Sequence, residues 1–311
     1  CAPSDLNLLG VYLMAKCAAF WKHTNIRGDN RVFPCCRFKA PVTTFKGSLD
    51  DVLHSEEYEK LRNTDVSTLW ECSKCMHEEE NGKESLRQVM NKEYDTDSVG
   101  LEYLEIGFDN ICNLTCDGCW SEFSSAWAKK ETGVAKYTHV DEIETIPDTI
   151  KKVLFLGGEP LMTKRHQQFL EKISNPKQVE VIYNTNGTFL LKDDIIELLE
   201  KFKKVHFILS IDAVGPLNEI VRSGSKWTDI LKFIKQIKKL GFKLEVNSVL
   251  HLNNWHGIVD LEKFVNSVTP VWTVNVLTYP KRLDITNYPN KQEIINLVKQ
   301  TEIPNKNYVI N

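Results

Sequence analysis

From residue 100 onward the chain alternates short apolar runs with amphipathic ones. The apolar runs at 102–108, 152–156, 179–183, 205–211, 243–250 and 271–277 predict strands. Between them, Thr163–Ile173, Lys192–Phe202, Trp227–Leu240 and Lys291–Val298 repeat apolar residues at helical spacing. Strands separated by such helices form βαβ units and a parallel sheet. Right-handed crossovers curl six of these units into a full or partial barrel. The expected fold is therefore α/β, a partial (β/α)6 TIM-like barrel.

Residues 1–99 follow no such rhythm. Leu6 to Trp21 is too densely apolar for an exposed loop, and Asn25 to Phe38 reads as a hairpin turning at Gly28-Asp29-Asn30. Ser48 is placed to open a helix at Leu49–Leu53, and Ser55 to cap a second through Leu61. The charge run Glu78-Glu79-Glu80 reads as a solvated face. Polar Asp95–Ser98 marks a boundary, so a small irregular, cysteine-rich cap is expected over 1–99 and the core over 100–311.

Composition narrows the chemistry. Nine cysteines stand at positions 1, 17, 35, 36, 72, 75, 112, 116 and 119, and none follows Cys119. Their close spacings favour metal or cluster ligation in a reducing compartment over disulfides, so a cytoplasmic protein is expected. A net charge of −3 gives no global pull toward nucleic acid or an anionic membrane. No apolar run approaches the roughly 18 residues of a membrane span. No secretory signal is visible, and the chain opens at Cys1 rather than Met, which leaves room for missing N-terminal sequence.

Cys112, Cys116 and Cys119 follow the first strand of the alternating region in a C-x3-C-x2-C spacing. In parallel α/β folds function collects at that end of the strands. Three thiolates suit an iron–sulfur cluster that takes four ligands, which leaves one iron open. Later strand ends carry Gly157-Gly158-Glu159-Pro160, then Asn184-Thr185-Asn186-Gly187, then Ser210 and Asp212 on one face. Arg222 follows, a guanidinium suited to a carboxylate. Singly each reads equally well as an ordinary turn; their concentration beside three cysteines reads as a site. His166, His251 and His256 lack metal-ligand spacing and read as solvated or core residues. Trp127 either lines the rim or covers the first helix.

On these residues, the segment from about residue 100 to the end resembles the radical S-adenosylmethionine (SAM) enzymes. Cys112, Cys116 and Cys119 match their signature, and Gly157–Pro160 matches the motif that receives the methionine amino group. Ser210 with Asp212 resembles the fourth-strand motif near the ribose, and Arg222 falls where related enzymes hold the methionine carboxylate. Thr185-Asn186-Gly187 is similar to a third-strand element of the family. Many members carry an aromatic residue just before the third cysteine. Gly118 stands there in this chain and Trp120 follows the cysteine instead, so Trp120 joins the candidate cofactor contacts. The resemblance implies a 4Fe-4S cluster on the three cysteines, with SAM completing the open iron. It implies reductive cleavage to a 5′-deoxyadenosyl radical that abstracts hydrogen from a substrate, and a reductant such as flavodoxin or ferredoxin.

Cys17, Asn30, Cys35 and Cys72-x2-Cys75 resemble the front of the SPASM domain in its shortened twitch form. An auxiliary iron–sulfur cluster on Cys17, Cys35, Cys72 and Cys75 is implied; zinc on the same four thiolates is the alternative. Asn30 replaces a family glycine and tolerates left-handed geometry. Cys36 is a competing ligand for Cys35, a buried small side chain, or a free thiol able to donate hydrogen. In most relatives this domain follows the barrel, whereas here it precedes it. Such relatives often modify peptides or proteins, so a peptidyl substrate is expected. The alternatives are a nucleotide or other small molecule, or a non-catalytic iron–sulfur or zinc-binding protein.

Overall fold

The structure, a computed structural model, describes residues 14–303. Cys1 and residues 6–13 of the expected apolar run lie outside them. Eleven strands occur among the described residues: β1 His23–Ile26, β2 Arg31–Phe33, β3 Thr43–Thr44, β4 Tyr103–Gly107, β5 Thr115–Cys116, β6 Lys152–Leu156, β7 Glu180–Thr185, β8 Lys204–Ser210, β9 Arg222–Ser223, β10 Lys243–Leu250 and β11 Trp272–Val276.

Nine of them form one sheet in the order β11-β10-β8-β7-β6-β4-β1-β2-β3. The six strands from β4 to β11 pair in parallel, as the alternation of strand and helix predicts, and make the partial barrel. The helix Trp227–Leu240 shows why the crossovers pack: Ile230, Phe233, Ile234 and Ile237 form one buried stripe, and Gly241 ends the helix at φ 73°. Inside, Phe155, Tyr183 and Phe207 run across β6, β7 and β8 with centroid separations of 4.9 and 5.2 Å. At such separations aromatic rings add to area burial.

The first hundred residues are joined to this sheet. β1 lies parallel to β4, with His23 opposite Tyr103 and Ile26 opposite Ile106. β2 and β3 then extend the sheet in antiparallel fashion. The expected hairpin is β1–β2, and Asn30 at its turn has φ 65°, the left-handed conformation anticipated for it. Ser48 and Ser55 accept hydrogen bonds from the N–H groups of Asp51 and Tyr58 and cap the helices Leu49–His54 and Glu56–Arg62. Hydrogen bonding of the sheet thus passes across residue 99.

Between β1 and β4 the buried Glu105 carboxylate accepts from Asn25 Nδ2 at 2.6 Å and from the Tyr103 hydroxyl at 3.2 Å. His23 Nε2 lies 3.5 Å away. Burial raises this carboxyl, but His23 and these hydrogen bonds outweigh it and hold the group below its ordinary value. A second, smaller core packs Phe20, Trp21, Phe38, Val66 and Met90 beneath the N-terminal cysteines.

Candidate active site

β4 ends at Gly107, and the chain then enters the cysteine loop. That loop is tied down on every side. Cys116 pairs with Arg222 and Thr115 with Ser223 in the small antiparallel β5–β9 ladder. Trp127 Nε1 donates to the Cys116 carbonyl at 2.9 Å, so Trp127 anchors the loop from below. Asn186 Nδ2 donates to Asn113 Oδ1 at 2.9 Å, and Asn253 Nδ2 donates to Asp117 at 2.7 Å.

The glycine pair after β6 presses against the start of the same loop. A Cβ at Gly157, where φ is 108°, would stand 2.5 Å from the Asp109 carbonyl oxygen; one at Gly158 would stand 2.1 Å from that of Ile111. Glu159 N donates to the Ile111 carbonyl at 2.7 Å. These glycines are required by close approach of the chain's own backbone.

A cavity of about 290 Å3 opens above these elements. It brings the three cysteines together with Gly157, Gly158, Asn186, Ser210, Asp212 and Arg222, all singled out in the sequence. Glu159 is not on its wall. That carboxylate is fully buried and accepts from Thr185 Oγ1 at 2.7 Å, Asn186 N at 2.7 Å and Leu161 N at 3.2 Å. Burial raises its pKa against the pull of those bonds. Pro160 opens a short 3-10 turn, also off the wall. Trp120 lies off it as well, edge-on to Phe123 and Tyr279 at 5.0 and 5.7 Å.

Arg222 donates from Nη1 to Asp212 Oδ2 at 2.8 Å, while Asp212 Oδ1 accepts from Val249 N at 2.8 Å. Burial lowers the guanidinium's proton affinity, but Cys116 and Asp212 outweigh it, so the group stays charged. Its Nε is shut from solvent and has no hydrogen-bond partner among the described residues. A buried cationic donor left open beside three thiols fits a carboxylate ligand. Ser210 Oγ donates to Asn184 Oδ1 at 3.2 Å. His251 also lines the cavity; its Nδ1 accepts from Asn253 N at 3.3 Å. An isolated histidine gave no sequence signal for that position, which depends on the turn after β10.

Cys17, Cys35, Cys72 and Cys75 surround a separate small apolar cradle in the N-terminal region, with Arg37 and Arg87 on its wall. Burial pushes the Cys17, Cys35 and Cys72 thiols up to about 12, so these groups become thiolates only opposite strong positive charge. Glu78 and Glu79, expected as a solvated face, instead bind Arg37 and Arg87 respectively. The reason is the helix Ser73–Glu80, whose first turn carries Cys75 and whose last turn faces those arginines. Cys36 points elsewhere. It lines a second chamber of about 280 Å3, walled by the β1–β2 hairpin and by the ends of β4 and β6. Phe123, Leu156, Gly157 and Asn184 belong to the walls of both this chamber and the cysteine cavity.

Comparisons with known proteins agree with this layout. The iron–sulfur cluster-binding (SPASM) domain profile matches residues 17–76. GTP 3',8-cyclase of Alkaliphilus metalliredigens is 31% identical over 185 residues, covering 55% of this chain and 54% of the relative. The enzyme of the same name from Aquifex aeolicus is 26% identical over 174 residues, covering 54% of each. The chain therefore spans about half the length of these curated relatives. The solved structure of native anSMEcpe with bound AdoMet shares the fold, with a TM-score of 0.50 and 18% identity over 65% of this chain and 60% of that one. The radical SAM superfamily profile matches residues 107–265, half of the sequence. The chain belongs to the radical SAM superfamily.

Proposed function

We propose that the chain is a radical SAM enzyme acting on a small molecule, with a nucleotide as the favoured class. Residues 100–311 form the catalytic core, and residues 1–99 carry an auxiliary cluster. Cys112, Cys116 and Cys119 hold a 4Fe-4S cluster, and the cavity beside them takes SAM. When bound there, the cluster supplies the electron that cleaves a carbon–sulfur bond of SAM. Arg222, steadied by Asp212, offers its unpaired Nε to the methionine carboxylate. Ser210 and Asn184 form the polar wall on the ribose side. Glu159 acts through Thr185 and Asn186, fixing the third strand end against the cysteine loop.

One observation carries the reading: the cysteine cavity and the hairpin chamber share four wall residues. A substrate in the chamber therefore stands next to the cofactor, as hydrogen abstraction over a short distance requires. The chamber, about 280 Å3, has room for a small-molecule substrate. The relatives named GTP 3',8-cyclase also favour a nucleotide over the peptide expected from the sequence.

The N-terminal cysteines favour a cluster over zinc. They line one cavity, and the iron–sulfur cluster-binding domain profile matches the segment that carries them, residues 17–76. Cys36 lies outside that cradle and on the chamber wall, where its S–H can return a hydrogen atom to a substrate radical. The S–H bond breaks as the C–H bond forms. One electron and one proton, supplied through a low-potential reductant of the flavodoxin or ferredoxin class, restore the thiol. No described helix is long and apolar enough to cross a membrane.

The deciding experiment is anaerobic reconstitution with iron and sulfide, reduction, and assay for 5′-deoxyadenosine. Its formation from SAM supports the reading; its absence from a reduced, fully loaded sample defeats it. Turnover in D2O tests Cys36, since a product deuterated by the native enzyme but not by Cys36→Ala identifies the donor.

A further inference from the structure

The hairpin chamber holds an unusual charge arrangement. Arg27 and Arg31, both on its wall, converge on one carboxylate oxygen of Glu122. Arg31 binds that oxygen directly through Nη2, and Arg27 Nη1 lies 3.7 Å from it. Neither arginine is free to turn away. Asp29 accepts from Arg31 Nε at 2.6 Å, and the Arg27 guanidinium lies 3.9 Å from the centroid of the Phe33 ring. Two guanidiniums are thus fixed around a single anionic oxygen inside a ligand-sized chamber. Fixed guanidinium pairs of this kind recognise phosphate and carboxylate groups.

The anion they hold is part of the chain itself. Glu122 stands three residues beyond Cys119 and its side chain is 39% exposed, so the carboxylate can leave for water without opening a buried hole. Its neighbour Phe123 belongs to the walls of both the chamber and the cysteine cavity.

We propose that Arg27 and Arg31 form the subsite for an anionic group of the substrate, phosphate or carboxylate, and that Glu122 is an internal counter-ion which the substrate displaces. The inference rests on the reading of the chamber as the substrate site and gives that site its ligand chemistry. Asp29 serves as the fixed support of Arg31.

The sign of one substitution separates this from a merely structural ion pair. Cluster-loaded full-length protein, saturated with SAM to close the open iron, is titrated calorimetrically with inorganic phosphate, inorganic pyrophosphate and succinate. Glu122→Gln removes the competing charge and tightens anion binding about fivefold, the scale of a half-exposed ion pair. Arg27→Gln added to Glu122→Gln abolishes the gain. Preference for phosphate and pyrophosphate over succinate, or the reverse, tells which anion the pair is built for. Unchanged or weaker binding to Glu122→Gln overturns the proposal, as does a gain that survives Arg27→Gln. Melting temperatures of the variants exclude misfolding as the cause. The 5′-deoxyadenosine assay on the native chain fails or succeeds independently of this titration.

Discussion

Cys116 and Arg222 are Cα partners in a ladder only two residues long. The middle cysteine of the cluster loop is therefore placed by the same segment that carries the cavity's buried guanidinium. Asp212 completes the arrangement by holding Arg222 at 2.8 Å and closing on Val249. Replacing Arg222 by Gln should leave the iron content of the three-cysteine site intact while weakening SAM binding by about tenfold or more, the scale of one charged hydrogen bond. Equilibrium binding of SAM to anaerobic, iron-loaded protein measures this. Unaltered affinity would remove Arg222 from the cofactor site.

Glu159 gives a different expectation because it faces the protein. Its two oxygens accept from two backbone N–H groups and one hydroxyl in a fully buried place. Glu159→Gln turns one acceptor into a donor opposite an N–H or O–H. A loss of about 1–3 kcal/mol in urea unfolding should follow.

The auxiliary cradle can be tested through its potential. Arg87 and Arg37 place positive charge on the wall beside Cys17 and Cys75, and Glu79 and Glu78 fix them there. Positive charge near a cluster favours its reduced form. Arg87→Gln should move the auxiliary midpoint to more negative values in a redox titration followed by electron paramagnetic resonance, with iron content unchanged. Cys35→Ala should lose the auxiliary cluster, whereas Cys36→Ala should retain it.

His166 sets a pH dependence in the barrel wall. It is hydrogen-bonded to the Tyr183 hydroxyl at 2.7 Å, and burial pushes it down from 6.5 to about 4. The unfolded chain then takes up a proton below about pH 6.5 that the folded chain refuses until about pH 4. Stability is whole above that window and falls as pH drops through it, by a total on the order of 3 kcal/mol. His166→Gln should flatten this slope in urea titrations run from pH 7 to pH 4. An unchanged slope would show that other groups produce it.

Much of this was legible in the sequence because it is local. Six strands announce themselves as apolar runs, three cysteines by their spacing, and Asn30 by standing in a turn that needs positive φ. What was hidden is non-local. β1 meets β4 across some eighty residues, a pairing that no periodicity within either strand specifies. β5 and β9 are too short to show any alternation. Glu78 and Glu79 look solvated until the arginines at 37 and 87 are brought beside them. His251 reaches the cavity only through the turn after β10.

The β1–β4 pairing also bears on whether residues 100–311, the proposed catalytic core, can be taken alone. A chain begun at residue 100 would leave β4 with a bare row of N–H and C=O groups, a ready template for a neighbouring molecule. Glu105 would lose Asn25 and His23 at the same stroke and stand in that edge as an unneutralised charge. Expressed by itself, such a fragment should aggregate strand to strand, and co-expression with residues 1–99 should rescue it by supplying the missing edge.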